Sequence, residues 1–214
     1  GKVKVNNKII LECGVNVTSK DHIAVNNQPL PKKVATKLWL YNKQRGYLVT
    51  NNDPEGRPTI FDKLKEKLNS RFISVGRLDM DSEGLLLLTN DGDLARKLEL
   101  PSTGWLRKYR VRVHGYVIAK DLEALKNGIT VDGIKYGRID AALDRQQGSN
   151  AWLTLSFREG KNREVRKVMN HLGYNVNRLI RISFGPFNLK NLPSGELEEV
   201  KNKVLNDQLG LSKP

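Results

Sequence analysis

One cysteine in 214 residues, Cys13, leaves no partner for an internal disulfide and no thiolate pair on which to build a metal site. That usage fits a reducing, cytoplasmic setting. Histidine is equally sparse: His22, His114 and His171 stand far apart, without the spacing that metal ligation requires. Nothing in the chain calls for a metal or a cofactor. Long hydrophobic runs are missing too. The longest aliphatic stretch, Leu85 to Leu88, is a fraction of the roughly 20 residues that a membrane-spanning helix needs. Acidic residues are in deficit, with 23 Asp and Glu against 37 Lys and Arg, a net charge of +14. Such an excess gives the surface a positive potential that attracts polyanions. It gathers in two clusters, Arg107, Lys108, Arg110 and Arg112, then Arg158, Lys161, Arg163, Arg166, Lys167, Arg178 and Arg181. Clustering of this kind favours RNA over an acidic protein surface as partner.

What is present reads as one full domain with a short segment ahead of it. In residues 1–30, brief strands are punctuated by Asn6-Asn7 and Asn26-Asn27 turns. This is too little to fold alone. Leu30-Pro31-Lys32-Lys33 reads as a linker, giving a segment over 1–32 and a domain over 33–214. Within that domain, LWLYNK and GYLVT suggest strands, Asp53 to Pro58 a turn, and the segment from Ile60 a helix with Phe61, Leu64 and Leu68 on one face. Leu85 to Thr89 suggests a buried strand, and Asn90 to Asp93 a turn that caps a helix. YRVRVHGYV alternates, with Tyr109, Val111 and Val113 on one face and Arg110, Arg112 and His114 on the other. LEALKNGI reads as a short helix stopped at Gly128, and TVDGIKYGRI, AALDRQ and WLTLSF as three further strands. From Glu159 to Tyr174, Val165, Val168, Met169 and Leu172 recur at helical spacing, with Gly173 as the stop. The expected class is α+β, with a mixed, mostly antiparallel sheet and flanking helices.

The most informative stretch is VGRLDMDSEGLLLLTNDG, from Val75 to Gly92. Asp79, Asp81, Glu83 and Gly84 fall at the first, third, fifth and sixth positions of a calcium loop, but the twelfth is Asn90 where a bidentate Glu is required. That residue and the Leu85 to Leu88 run between argue against calcium, and a plain turn before a strand is the structural alternative. The stretch resembles the signature of the small-subunit and large-subunit ribosomal RNA pseudouridine synthases, in which the Asp of GRLD is catalytic. The resemblance implies that Asp79 is the catalytic carboxylate, with Ser82 where many relatives carry Thr. GKNREVRKV is similar to the family's third motif, which implies that Arg166 pairs with Asp79; Glu164 stands where Gln is common and adds a rival carboxylate. The family's Tyr after Lys implies that Tyr109 lies over the target base. In NRLIRISF, Ile180, Ile182 and Phe184 share one face, while Leu179 sits on the opposite, polar face beside Arg181, as a pocket wall would; the family has a Leu there as well. Arg77, Lys108, Asn162, Arg163 and Leu179 are the expected substrate-binding residues.

The resemblance covers residues 36 to 200, and NDPEGRPTIFDKL brings the chain closer to the B-type enzymes that modify the large subunit, implying 23S rather than 16S rRNA as substrate for a monomeric, cofactor-free isomerase. Residues 1 to 30 are similar to the second half of an S4 RNA-binding domain, which implies a truncated module. A carboxylate at position 79 has three routes open to it: attack at C1′, attack at C6, or proton abstraction at C2′. Two other classes compete with the isomerase. One is a noncatalytic RNA-binding or ribosome-assembly protein on the same fold; the other is a magnesium nuclease built on Asp79 and Asp81.

Overall fold

The computed structural model describes residues 1–18, 20–30 and 34–209, and the chain divides into two compact units, 1–35 and 36–214. The division falls three residues beyond the expected boundary at 32, and Pro31 to Lys33 of the expected linker lie outside the described residues. In the first unit, β1 (Val3–Val5), β2 (Lys8–Ile10), β3 (Ile23–Val25) and β4 (Gln28–Pro29) form an antiparallel sheet in the order β2-β1-β3-β4. Asn6 and Asn7, and again Asn26 and Asn27, all have positive φ, as a two-residue hairpin turn with the twist of its strands demands. Asn tolerates that region because its short amide can bond the local backbone. The Asp21 carboxylate ties the longer connection down by accepting from Asn6 and from the Thr18 amide and hydroxyl.

The second unit runs β5 (Leu38–Lys43), α1 (Ile60–Leu64), β6 (Ile73–Val75), β7 (Glu83–Thr89), α2 (Gly92–Glu99), β8 (Arg107–His114) and α3 (Ala119–Ala124). It continues with β9 (Ile129–Val131), β10 (Ile134–Tyr136), β11 (Asp140–Gln147), β12 (Asn150–Phe157), α4 (Glu164–His171), β13 (Asn175–Phe184), β14 (Phe187–Asn188), β15 (Leu197–Glu199) and α5 (Asn202–Leu209). The main sheet has nine strands: seven in the order β11-β12-β8-β13-β7-β5-β15, with β14 added on β13 and β6 on β7. All of its pairings are antiparallel except β13 with β7. This is the mixed, mostly antiparallel sheet that the sequence leads one to expect. Two segments differ from expectation. Of GYLVT only Leu48 makes a bridge, to Thr59, because Gly46 at φ +85 turns the chain out of the sheet. TVDGIKYGRI is a separate hairpin, β9–β10, reversed at Asp132-Gly133, both with positive φ. Among the described residues no helix is long and apolar enough to cross a membrane.

The sheet is built differently in its two halves. Leu85 and Leu87 of β7 pack with Leu38 and Leu40 of β5 and with α2 on one face, while Leu86 and Leu88 pack with Trp39, Tyr41 and α1 on the other. Burial on both faces explains the unbroken leucine run. β8 and β12 are covered on one face only, where Tyr109, Val111, Val113, Leu153 and Leu155 meet α3 and α4, and the other face is polar. The halves join along β7 and β13, where Ile180 pairs with Glu83 and Arg181 with Gly84. Gly84 is there for two reasons: its φ is +100, and a Cβ would stand 2.3 Å from the Arg181 carbonyl oxygen. Backbone blocks any relief at that distance. Gly84→Ala is therefore expected to destabilise the second unit by more than about 3 kcal/mol, beyond the roughly 1 kcal/mol of a plain left-handed penalty. Gly148→Ala, at φ +55 with open space around it, serves as the control in urea denaturation.

Candidate active site

Asp79 lies in the turn that links β6 to β7, where the Ser82 amide donates to the Asp79 carbonyl. Beneath this turn stands Lys43, the last residue of β5, with none of its surface exposed. Its ammonium donates to the main-chain carbonyls of Asp79 at 3.0 Å, Ser82 at 2.9 Å and Gln44 at 2.9 Å, with a longer contact to that of Met80 at 3.5 Å. Burial lowers its pKa to about 8, opposed by the nearby carboxylates of Asp81, Asp79 and Glu83. One cation thus fixes the backbone at the candidate carboxylate and in the turn that follows it. The sequence offers little sign of this, because a lysine at the end of a strand reads as a solvated one.

The expected pair of Asp79 with Arg166 does not form. Arg163 is the guanidinium on Asp79, at 3.1 Å, and Arg166 instead pairs with Asp81 at 2.8 Å while donating to the Val176 carbonyl. The start of α4 explains the exchange. Arg163 is its N-cap residue in the left-handed region, φ 52 and ψ 31, a conformation costing about 1 kcal/mol for a non-glycine residue. That turn sends its side chain back over the Asp79 loop. Arg166, one turn further along, is drawn into the angle between α4 and β13.

A cavity of about 990 Å³ opens beside Asp79. Of the expected site residues, Arg77, Asp79, Tyr109, Asn162, Arg163 and Leu179 line it. Arg166 and Lys108 do not. Lys108 alternates with Tyr109 along β8 and so points to the other side of the sheet. The first basic cluster is split in the same way: Arg107 is buried in the cavity wall, whereas Arg110 and Arg112 are exposed on the far face. On β13 the face expected to be polar is the more buried one, with Leu179 at 5% and Arg181 at 3% exposure, and Ile180 and Ile182 only half-buried. Arg181 donates through Nε to the Leu85 carbonyl at 2.7 Å and lies against the Phe184 ring. Leu179 lines the cavity, as its place on the face opposite Ile180 and Ile182 leads one to expect, and Arg181 lines it beside Leu179.

Tyr109 is held by an edge contact with Phe157, and burial raises its pKa, partly countered by Arg181. Its phenol keeps its proton near neutral pH. Glu164, 3% exposed and also on the cavity wall, accepts from the Lys161 amide at 3.0 Å. Burial pushes its carboxyl from 4.5 up to about 8, against that hydrogen bond and the charge of Arg107. At neutral pH it is held mainly as the neutral acid, which can donate as well as accept a hydrogen bond, as a Gln side chain can. It is no rival to Asp79. Among the described residues no group of three or more His, Cys, Asp or Glu could hold a metal ion.

Comparison with known proteins identifies what the chain is similar to. The family described as RNA pseudouridylate synthase matches residues 37–171. A Rickettsia felis protein named an uncharacterized RNA pseudouridine synthase is 41% identical over 208 residues, covering 96% of this chain and 88% of its own. The Yersinia pestis protein named ribosomal large subunit pseudouridine synthase B is 38% identical over 212 residues, covering 96% of this chain and 67% of its own. Among solved structures, one described as a pseudouridylate synthase superposes with a TM-score of 0.71 at 26% identity, over 97% of this chain and 88% of that one.

Two outcomes test the supports of the site. Lys43→Met leaves buried carbonyls without a donor and is expected to lower stability by at least about 2 kcal/mol, a melting shift of roughly 4–8 °C. For Glu164 the unfolded chain releases the proton near 4.5 and the folded chain near 8, so its contribution is complete below about 4.5 and is lost as pH rises to about 8. Glu164→Gln removes that dependence. Its melting temperature should gain on the unaltered protein between about pH 5 and pH 8, a window below that of Lys43, whose opposite effect runs from about 8 to 10.5.

Proposed function

The chain belongs to the RNA pseudouridylate synthase family, and on that premise we propose that it isomerises uridine to pseudouridine in ribosomal RNA, 23S in preference to 16S, with Asp79 as catalytic carboxylate. The observation that carries this reading is the Asp79 carboxylate held at 3.1 Å by Arg163 on the rim of a cavity walled by Tyr109 and Leu179. The name of the Yersinia pestis relative supports the preference for 23S rRNA. The substrate puts the reaction in the cytoplasm, and one copy of the chain carries every residue that the reading needs. Residues 1–32 act as an S4-like RNA-binding segment ahead of the catalytic domain at 33–214.

In this reaction the bond from N1 to C1′ breaks, the uracil turns, and C5 joins C1′; the hydrogen on C5 leaves as a proton and N1 takes one up. Composition is unchanged, so no cofactor takes part. Asp79 serves as nucleophile or proton acceptor, held in place by Lys43 through its backbone and by Arg163 through its carboxylate. Tyr109, fixed by Phe157, provides the surface on which the base lies, and its protonated phenol donates a hydrogen bond. Leu179 closes the wall. Arg77, exposed at the mouth, and Asn162 engage the nucleotide's sugar and phosphate. Arg166 acts at one remove, by holding Asp81. A uridine must leave its stack to enter, at a cost of a few kcal/mol that is least in loops and bulges. Phosphate contacts at the rim offset that cost, each adding about −0.7 to the slope of log affinity against log salt on a single strand.

The test uses 5-fluorouracil-containing rRNA fragments in the presence of chelator. The unaltered protein is expected to form a slow-migrating adduct, and Asp79→Asn none, with turnover on uridine lowered by at least about 100-fold. Arg163→Gly relieves the left-handed turn, so it should melt no lower than the parent while losing activity. Equal, reversible binding by both proteins with no adduct would assign a noncatalytic RNA-binding role; chain cleavage requiring added magnesium would assign a nuclease.

A further inference from the structure

The half of the sheet formed by β11, β12, β8 and β13 has a second charged face, turned away from the cavity. Register places Arg145, Trp152, Arg112 and Arg178 in one row across these four strands. Arg110, one row away, lies over the Trp152 ring at 4.8 Å. The carboxylates of this region are already engaged: Glu83 with Arg178, Asp140 with Arg138, and Asp144 with the Thr154 hydroxyl. Arg110, Arg112 and Arg145 are exposed and form no ion pair among the described residues. Lys108 and His114 add basic groups to the same side of β8.

We propose that this face is a second RNA-docking surface, which binds phosphates of rRNA outside the segment that enters the cavity. The row from β11 to β13 spans three strand spacings, roughly 15 Å, enough for two or three phosphates. The Trp152 ring anchors the Arg110 guanidinium at 4.8 Å while no ion pair among the described residues occupies its N–H groups, which leaves them for a phosphate. Trp152 is thereby covered and serves to orient the arginine. Arginines without an ion pair, set in one row by the strand register, present a charge pattern that the polyphosphate of a large RNA matches and a small substrate does not reach. The proposal rests on the reading of the chain as an rRNA-modifying enzyme, and adds to it a surface for substrate recognition remote from Asp79.

The experiment compares two RNAs: the shortest rRNA stem–loop that gives the 5-fluorouracil adduct, and full-length 23S transcript. The variant combines Arg110→Glu, Arg112→Glu and Arg145→Glu, with melting as the check on folding. Expected is a loss of at least about tenfold in affinity for the transcript near 0.1 M salt, with a salt slope smaller by about 2, for three phosphate contacts. Adduct formation on the stem–loop should stay within about twofold of the parent, since these side chains do not reach the cavity. A second variant, Asp144→Lys, should tighten binding to the transcript without altering the stem–loop reaction. The proposal is overturned if transcript affinity and slope stay unchanged in both variants, or if stem–loop reaction falls in step with transcript binding. Failure of the parent to form any adduct would instead remove the isomerase reading, while the binding comparison would still decide the surface.

Discussion

Four arginines from α4 and β13 each meet one of four alternating residues in β7 and the turn ahead of it. Arg163 bonds Asp79, Arg166 bonds Asp81, Arg178 grips Glu83 through two nitrogens at 2.8 Å, and the buried Arg181 donates to the Leu85 carbonyl. This row of contacts runs beside the parallel pairing of β7 with β13 and holds the two halves in register. Removing Asp81 would leave the little-exposed Arg166 guanidinium without its carboxylate, which is costlier than the loss of the half-exposed Arg163–Asp79 pair. The acid assigned to the chemistry is the first member of the row. Its position depends on the same register that holds the sheet together.

The seam also explains why the cavity is where it is. One wall comes from the half that is buried on both faces, which supplies rigidity and the Lys43 clamp under the Asp79 turn. The opposite wall comes from the half with a single covered face, which supplies Tyr109, Leu179, Arg107 and Arg181. Each half contributes what its construction permits. A doubly covered strand can bury an ammonium against carbonyls, and a singly covered strand can present aromatic and cationic side chains on one face and leave the other to solvent or RNA. The neutral Glu164 belongs to the same logic, since a second ionised carboxylate beside the cavity would compete with Asp79 for the surrounding guanidinium groups.

Much of the fold was legible because its signals are periodic. The leucine run of β7, the strict alternation of β8, the Val165-Val168-Met169 stripe of α4 and the paired asparagines of the hairpins each follow from one rule of backbone geometry. The motif from Val75 to Gly92 located the turn that carries Asp79. What stayed hidden depends on contacts between distant segments. Lys43 could not be told from a solvated lysine until the turn above it was in place. Arg163 and Arg166 share a helical face, and only the left-handed residue ahead of α4 decides which of them reaches Asp79. The buried side of β13 carries an arginine, so its pattern of polarity pointed the wrong way. Lys108 followed its neighbour Tyr109 into the expected site, whereas strand alternation separates the two.

The parallel join pairs Glu83 with Ile180, residues separated by almost a hundred positions in the chain. A ribosome adding roughly 5–20 residues per second therefore exposes the acidic turn for some 5–20 seconds before its arginine partners have been made. During that interval the nascent polypeptide carries a carboxylate with no wall opposite it and no place for a base to rest. On the proposed reading, competence therefore arrives late in synthesis, only after α4 and β13 have been made.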